Sequence, residues 1–234
     1  MIAAHKALLA ETPDLCLLLA PRHPERATEV IALIKKAGLS VARRSAGDAL
    51  TPDTQVYLAD TLGEVGTWYA LSPIVFLGGS LAPIGGHNPF EVAQAGAAVI
   101  TGPGYSNFAE TYPPLIDAGG AVEVSDAPTL AGAVQHWLTD DTALNTARTA
   151  ARGVVEAQAA ALDGVVDLLI THLALPSPNT RNWSEPPDGR PACHQLQSQF
   201  HRRLGDRCEC GPPTGRSIRD GAGGTRPARL PGSD

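Results

Sequence analysis

Three stretches of the chain combine residues suited to binding an anion or a nucleotide with the local signals of a strand running into a helix. The first is Ala20-Pro-Arg-His-Pro-Glu-Arg26, directly after the apolar run 15–19. Pro24 suits a first helical turn, where its missing N–H is no loss. Arg22 and His23 would then sit at the carboxyl edge of a sheet, where a guanidinium binds phosphate or simply meets solvent. The second is Asp60-Thr-Leu-Gly-Glu64. Thr61 and Glu64 have capping-box spacing, in which each side chain satisfies the other's backbone N–H; Gly63 also permits close approach of a ligand. The third is Phe76-Leu-Gly-Gly-Ser-Leu-Ala-Pro-Ile-Gly-Gly-His-Asn-Pro-Phe-Glu91. Asn88 fits an N-cap, Pro89 a first turn and Glu91 the capping-box partner. Helix initiation does not account for the two Gly-Gly steps. They imply backbone that turns sharply or lies against a ligand. No Gly-Lys-Ser/Thr follows, so this is not a Walker loop, and the dinucleotide fingerprint G-x-G-x-x-G is absent.

The elements that must position these residues follow from the hydrophobic pattern. Short apolar runs at 15–19, 40–43, 55–58, 74–77, 98–101 and 121–124 alternate with helical periodicity at 24–37, 62–71, 89–95, 108–118 and 127–138. Regular alternation of strand and helix predicts a doubly wound, Rossmann-like α/β domain with a mostly parallel sheet. Two Ala-rich closing helices are expected at 142–152 and 156–173. In such a sheet every strand-to-helix turn opens on one edge, where ligands bind at a switch point. The helix N-termini there offer N–H groups and partial positive charge to a phosphate. A nucleotide site at that edge is the economical reading.

Composition limits the partners. Residues 1–176 hold 9 Lys/Arg against 18 Asp/Glu, with no basic stripe, which argues against nucleic acid as partner. Cys16 lies in an apolar run and reads as a small core residue. The body has no disulfide framework and its N-terminus is too short and polar for a signal peptide, so a cytoplasmic, reducing location is expected. After Pro176 apolar periodicity stops, and residues 177–234 contain 8 Pro, 8 Gly and 9 Arg but no Lys. This predicts a disordered tail or one translated from a shifted frame. Cys193, His194, Cys208 and Cys210 lie in that tail without zinc-site spacing, so no metal is expected. Trp68 and Tyr69 read as core, His136 as a packed or helix-end histidine, and Asn107 as an N-cap.

The motifs Pro-Arg-His-Pro-Glu-Arg, Asp-Thr-Leu-Gly-Glu, Phe-Leu-Gly-Gly-Ser and Gly-Gly-His-Asn-Pro-Phe-Glu occur in one order and spacing. In this the chain resembles the C-terminal domain of the 3-deoxy-D-manno-octulosonic acid (Kdo) transferases, over roughly residues 1–174. The resemblance implies the C-terminal half of a GT-B glycosyltransferase that binds the donor CMP-Kdo and needs no cofactor or metal. It implies CMP contacts from Pro21 and Arg22, from Leu62, Gly63 and Glu64, and from Asn88, Pro89, Phe90 and Glu91. Transfer would be to a lipid A precursor, lipid IVA, with inversion, at the cytoplasmic face of the inner membrane. The family's N-terminal half, with its membrane anchor and its general-base Glu, has no counterpart in these 234 residues, and residues 175–234 depart from the pattern. The chain therefore reads as truncated at the front and altered at the back. A non-catalytic CMP-binding remnant, or a GT-B enzyme using a UDP- or GDP-sugar, are the alternatives.

Overall fold

The computed structural model describes residues 1–173. The expected tail, with Cys193, His194, Cys208 and Cys210, lies outside the described residues.

The chain begins with helix α1 (Ile2–Glu11) and then alternates strand and helix. Strand β1 (Leu17–Leu19) leads through a 3-10 turn (Pro24–Arg26) into α2 (Ala27–Lys36), followed by β2 (Val41–Arg43) and β3 (Val56–Leu58). Next come α3 (Val65–Leu71), β4 (Ile74–Phe76), α4 (Pro89–Gln94) and β5 (Ala98–Thr101). A 3-10 turn (Ser106–Phe108), α5 (Tyr112–Asp117), β6 (Ala121–Glu123), α6 (Ala127–Thr139) and α7 (Asp141–Leu173) complete the described residues.

Among the described residues all strand pairing is parallel, in two three-stranded ladders of order β1-β3-β2 and β4-β5-β6. The register aligns Leu19, Leu58 and Arg43 across one ladder and Phe76, Ile100 and Val122 across the other. Within each ladder the carboxyl ends are therefore flush, and the loops that leave them share one edge. The central strands β3 and β5 are buried along their length. A parallel strand covered on both faces must be apolar throughout, which Val-Tyr-Leu and Ala-Val-Ile-Thr nearly are. Beneath the β4-β5-β6 ladder, Tyr112 and Leu115 of α5 are fully buried with Val92 and Ala151. Each such large side chain stabilises the fold by roughly 1.5–3 kcal/mol.

Two helices differ most from the reading. The closing helix is one continuous α7 rather than two. Gly153 lies inside it with open space around its Cα; a helical glycine costs only about 1 kcal/mol against Ala and need not break a helix. The second difference is α1, which the hydrophobic pattern did not mark. Its Ala4 packs with Ala98, Ile100, Leu130 and Trp137, while Ile2 and Leu9 pack against Ile34, Leu39 and Val56. The helix bridges the cores of both ladders, so apolar residues fall on several faces and no single stripe stands out.

His5 is buried at this bridge, and its Nε2 lies 2.9 Å from the Gln55 carbonyl oxygen. Burial holds the imidazole below its ordinary pKa of 6.5, against the opposing pull of that hydrogen bond. The unfolded chain then takes up protons more readily than the folded one as pH falls below 6.5, so stability declines there and is level above about pH 7.5. Gln at position 5 keeps a donor for Gln55 but cannot titrate. We expect His5→Gln to flatten part of this decline in urea unfolding between pH 7.5 and 5, with His87, also lowered by burial, carrying some of the rest. An unchanged slope would remove His5 from the account.

Candidate functional site at the carboxyl edge

The loop after β1 carries three basic side chains with different partners. His23 Nδ1 lies 3.0 Å from Glu25 Oε1, and Arg26 grips Glu29 through two contacts of 3.0 and 2.9 Å. Arg22 is exposed and takes no ion pair among the described residues. Pro21 before it is half-buried. Pro24 opens the 3-10 turn, as its missing N–H predicts.

The loop after β3 is held by its neighbour. Asp60 is buried and accepts from Arg43 Nε at 2.6 Å, the Ser45 backbone N–H at 2.9 Å and the Ser45 hydroxyl at 2.8 Å. Burial would raise its carboxyl, but these donors together outweigh burial and hold it below the usual range. Glu64 is gripped by Arg44, with Nη2 2.7 Å from Oε1 and Nε 3.2 Å from Oε2. Those bonds hold Glu64 below its ordinary value. The capping box expected of Thr61 and Glu64 does not form. Gly63 turns left-handed at φ +80 and α3 begins only at Val65, so Glu64 itself is the N-cap residue. The Thr61 hydroxyl bonds the Glu64 carboxylate instead of a backbone N–H. Leu62 is 81 % exposed, and the space around Gly63 is open.

The glycine-rich loop after β4 turns on Ser80, which is 1 % exposed. Its hydroxyl donates to the Leu77 carbonyl at 2.7 Å and accepts the Gly102 N–H at 2.7 Å, and its carbonyl accepts the Gly104 N–H at 2.8 Å. A Cβ on Gly102 would stand 2.5 Å from the Ser80 carbonyl oxygen, and one on Gly104 2.8 Å from it. Gly85 and Gly86 are buried at φ +100 and +76. The space where their Cβ atoms would lie is filled by the Asn107 side chain and by Tyr105. These two glycines therefore answer to the neighbouring loop, not to a ligand. Asn107 is not an N-cap; its amide reaches towards the Ile84 carbonyl at 3.4 Å, and α5 starts later, at Tyr112. Gly78, half-exposed with nothing near its Cα, is the glycine that stays open.

At the start of α4, Asn88 caps as expected, its Oδ1 accepting the Phe90 N–H at 3.0 Å, with Pro89 buried in the first turn. Glu91 does not complete a capping box. Its Oε1 accepts the Asn88 side-chain amide at 3.3 Å instead of a backbone N–H. Phe90 is half-buried and packs on the core beneath. His87 went unassigned in the sequence, where only its place between Gly86 and Asn88 marked it. Its carbonyl accepts the Tyr112 hydroxyl at 2.9 Å, and Gly79 backs its ring. Burial lowers its pKa, the charge of Arg22 lowers it further, and Glu91 pulls the other way. Tyr69, on α3, is raised by burial and by the charge of Glu91.

These couplings show which junctions meet. His87 at α4 feels the charges of Arg22 from the loop after β1 and of Glu91, and Tyr69 of α3 feels that of Glu91. Glu64 stands with Arg44 at the neighbouring loop. The arrangement offers an unpaired guanidinium, a neutral imidazole and two carboxylate acceptors at one edge. That set suits an anionic group joined to a hydroxyl- or amino-bearing body. Trp68 is buried, as expected, and carries Arg44 over its ring at 5.9 Å.

No protein-family model matches the chain. Among curated proteins it is similar to a 3-deoxy-D-manno-octulosonic acid transferase of Haemophilus influenzae, 40% identical over 174 residues, 74% of this chain and 41% of the relative. It is also similar to one of Bordetella pertussis, 39% identical over 169 residues, 72% of this chain and 40% of the relative. The chain thus spans about two fifths of the length of these relatives. Among solved structures, the C-terminal CMP-Kdo binding domain of WaaA from Acinetobacter baumannii superposes with a TM-score of 0.63 at 35% identity, over 66% of this chain and 80% of that one.

The two kinds of glycine at this edge are separable by stability. Gly102→Ala should lose about 1–3 kcal/mol in urea unfolding, since the atom it meets is backbone and cannot swing aside. Gly78→Ala should stay within about 0.5 kcal/mol. Equal costs for the two would contradict the packing described.

Proposed function

The chain belongs to the Kdo transferase family, and from that premise we propose that its described residues form the donor-binding domain of a GT-B glycosyltransferase. The donor is CMP-Kdo, the acceptor is a lipid A precursor, lipid IVA, and transfer inverts the anomeric centre without metal or further cofactor. The acceptor surface and the general base belong to a second domain, and the enzyme works at the cytoplasmic face of the inner membrane. Among the described residues no helix is long and apolar enough to cross a membrane.

The observation that carries the reading is the unpaired Arg22 beside His87 at the carboxyl edge, in a chain 35% identical to a CMP-Kdo binding domain of which it covers 80%. Arg22 holds the phosphate, and Asn88, Pro89 and Phe90 at the start of α4 lie against the donor. Pro21 fixes the approach of Arg22. Leu62 and the open Gly63 lie along the nucleoside, and Glu64 and Glu91 accept from ribose hydroxyls or the cytosine amino group. Binding and orientation of the donor are the tasks of this domain. Proton removal from the acceptor hydroxyl needs a base within hydrogen-bond reach, which the second domain supplies.

Titration calorimetry with CMP, cytidine and UMP tests this. The chain should bind CMP, and Arg22→Ala should weaken CMP by roughly 1.5–3 kcal/mol while leaving cytidine nearly unchanged, because only CMP carries the phosphate. Glu91→Gln should be mild if Glu91 serves only the α4 terminus and severe if its carboxylate holds ribose or base. Equal weakening of CMP and cytidine by Arg22→Ala, or no binding of any of the three, would defeat the assignment.

A further inference from the structure

The tripeptide Arg43-Arg44-Ser45 at the end of β2 has no part in the donor contacts described, yet all three residues bond into the loop after β3. Arg43 and Ser45 hold Asp60 at one end of that loop, and Arg44 holds Glu64 at the other. We propose that Arg44 is a positioning residue of the donor site, fixing the Glu64 carboxylate in the one orientation that lets it accept a hydrogen bond from the nucleoside. The inference rests on the donor-binding reading.

The geometry leaves Glu64 little choice. A carboxylate has about four acceptor positions. Among the described residues, Oε2 takes Arg44 Nε and the Thr61 hydroxyl, while Oε1 takes Arg44 Nη2. The remaining lone pair of Oε1 is therefore the acceptor held ready for a ligand. Arg44 is fixed in turn by the face of Trp68, 5.9 Å from its guanidinium carbon. Trp68 is buried against Tyr57, with ring centroids 6.0 Å apart. The two partners of the pair are 28% and 27% exposed, sheltered enough to hold their geometry and open enough for a ligand to reach. The planar fork of Arg makes both contacts at once, which a Lys ammonium cannot match.

The test is a double-mutant cycle read by CMP titration at pH 7 on the full chain. Arg44→Ala and Glu64→Gln should each weaken CMP roughly tenfold, the scale of one hydrogen bond to a charged group. The double variant should bind no more weakly than the weaker single one, because Arg44 acts only through Glu64. Arg44→Lys keeps the charge but loses the fork, and should fall with Arg44→Ala rather than with the wild type. Should Arg44→Ala lower the unfolding midpoint too far to titrate, the cycle of Arg44→Lys with Glu64→Gln gives the same comparison with the cation retained. Losses that multiply in the double variant, or an Arg44→Ala variant that binds CMP like the wild type, would overturn the proposal. Arg22→Ala in the same series separates the two readings. If it weakens CMP while the Arg44 and Glu64 losses multiply, only the positioning role fails. If the wild type binds no CMP, the donor site fails and takes the positioning role with it.

Discussion

The buried turn at Ser80 fixes where everything else at the carboxyl edge can lie. Its hydroxyl links the end of β4 to the start of the loop after β5, and its carbonyl oxygen leaves no room for a side chain at Gly102 or Gly104. Two loops from adjacent strands are thereby locked face to face. Gly85 and Gly86 then close against Asn107 and Tyr105 further along the same contact. With the loop anchored at both ends, the chain arrives at Asn88 in one direction, and α4 starts with His87 within reach of the charges of Arg22 and Glu91. Holding ligand-binding groups on a packed scaffold lowers the ordering cost that binding would otherwise meet.

That lock also explains why glycine clusters at a site without lining it. The sequence shows four glycines in two pairs and permits two readings, a sharp turn or a close ligand. Burial separates them. Gly79, Gly85 and Gly86 have positive φ and packed surroundings, and their absent side chains serve the turn and the adjacent loop. Gly63 has positive φ but open space, and Gly78 has open space without positive φ. Only these last two offer backbone that a ligand could approach. Composition and spacing could not make the distinction, because it depends on what the next loop does.

Much of the fold was legible because it is local. Apolar runs marked the six strands of the described residues, with errors of a residue or two at their ends, where Ser40, Gln55 and Leu77 still share backbone hydrogen bonds with the neighbouring strand. Pro24, Pro89 and Asn88 marked helix starts because backbone chemistry restricts those positions. What was missed is non-local. Helix α1 divides its apolar residues between two cores and shows no single stripe. Thr61 and Glu64 have the right spacing for a capping box, but Arg44, twenty residues earlier, takes the carboxylate. Pairing across strands carries no signature within either segment, so Arg44 and the Arg43–Asp60 pair came into view only with the register of β2 on β3.

The distribution of these pairs bears on which donor fits. Residues 1–176 hold twice as many acids as bases, so an anionic ligand meets general repulsion unless a cation is set aside for it. Arg43 and Arg44 are committed to Asp60 and Glu64, and Arg26 to Glu29. Arg22 is the guanidinium at this edge that no carboxylate neutralises among the described residues. His87 beside it is lowered by burial and by Arg22 itself, so it stays neutral at pH 7 and adds a hydrogen-bonding group but no charge. A single available cation matches a donor with one phosphate better than one with two. A diphosphate has two adjoining phosphate groups to offset and commonly calls for further cations or a metal ion. Within the proposed function this favours a cytidine monophosphate sugar over UDP- or GDP-sugars. The selection arises from which arginines are already engaged, not from the number of arginines in the sequence.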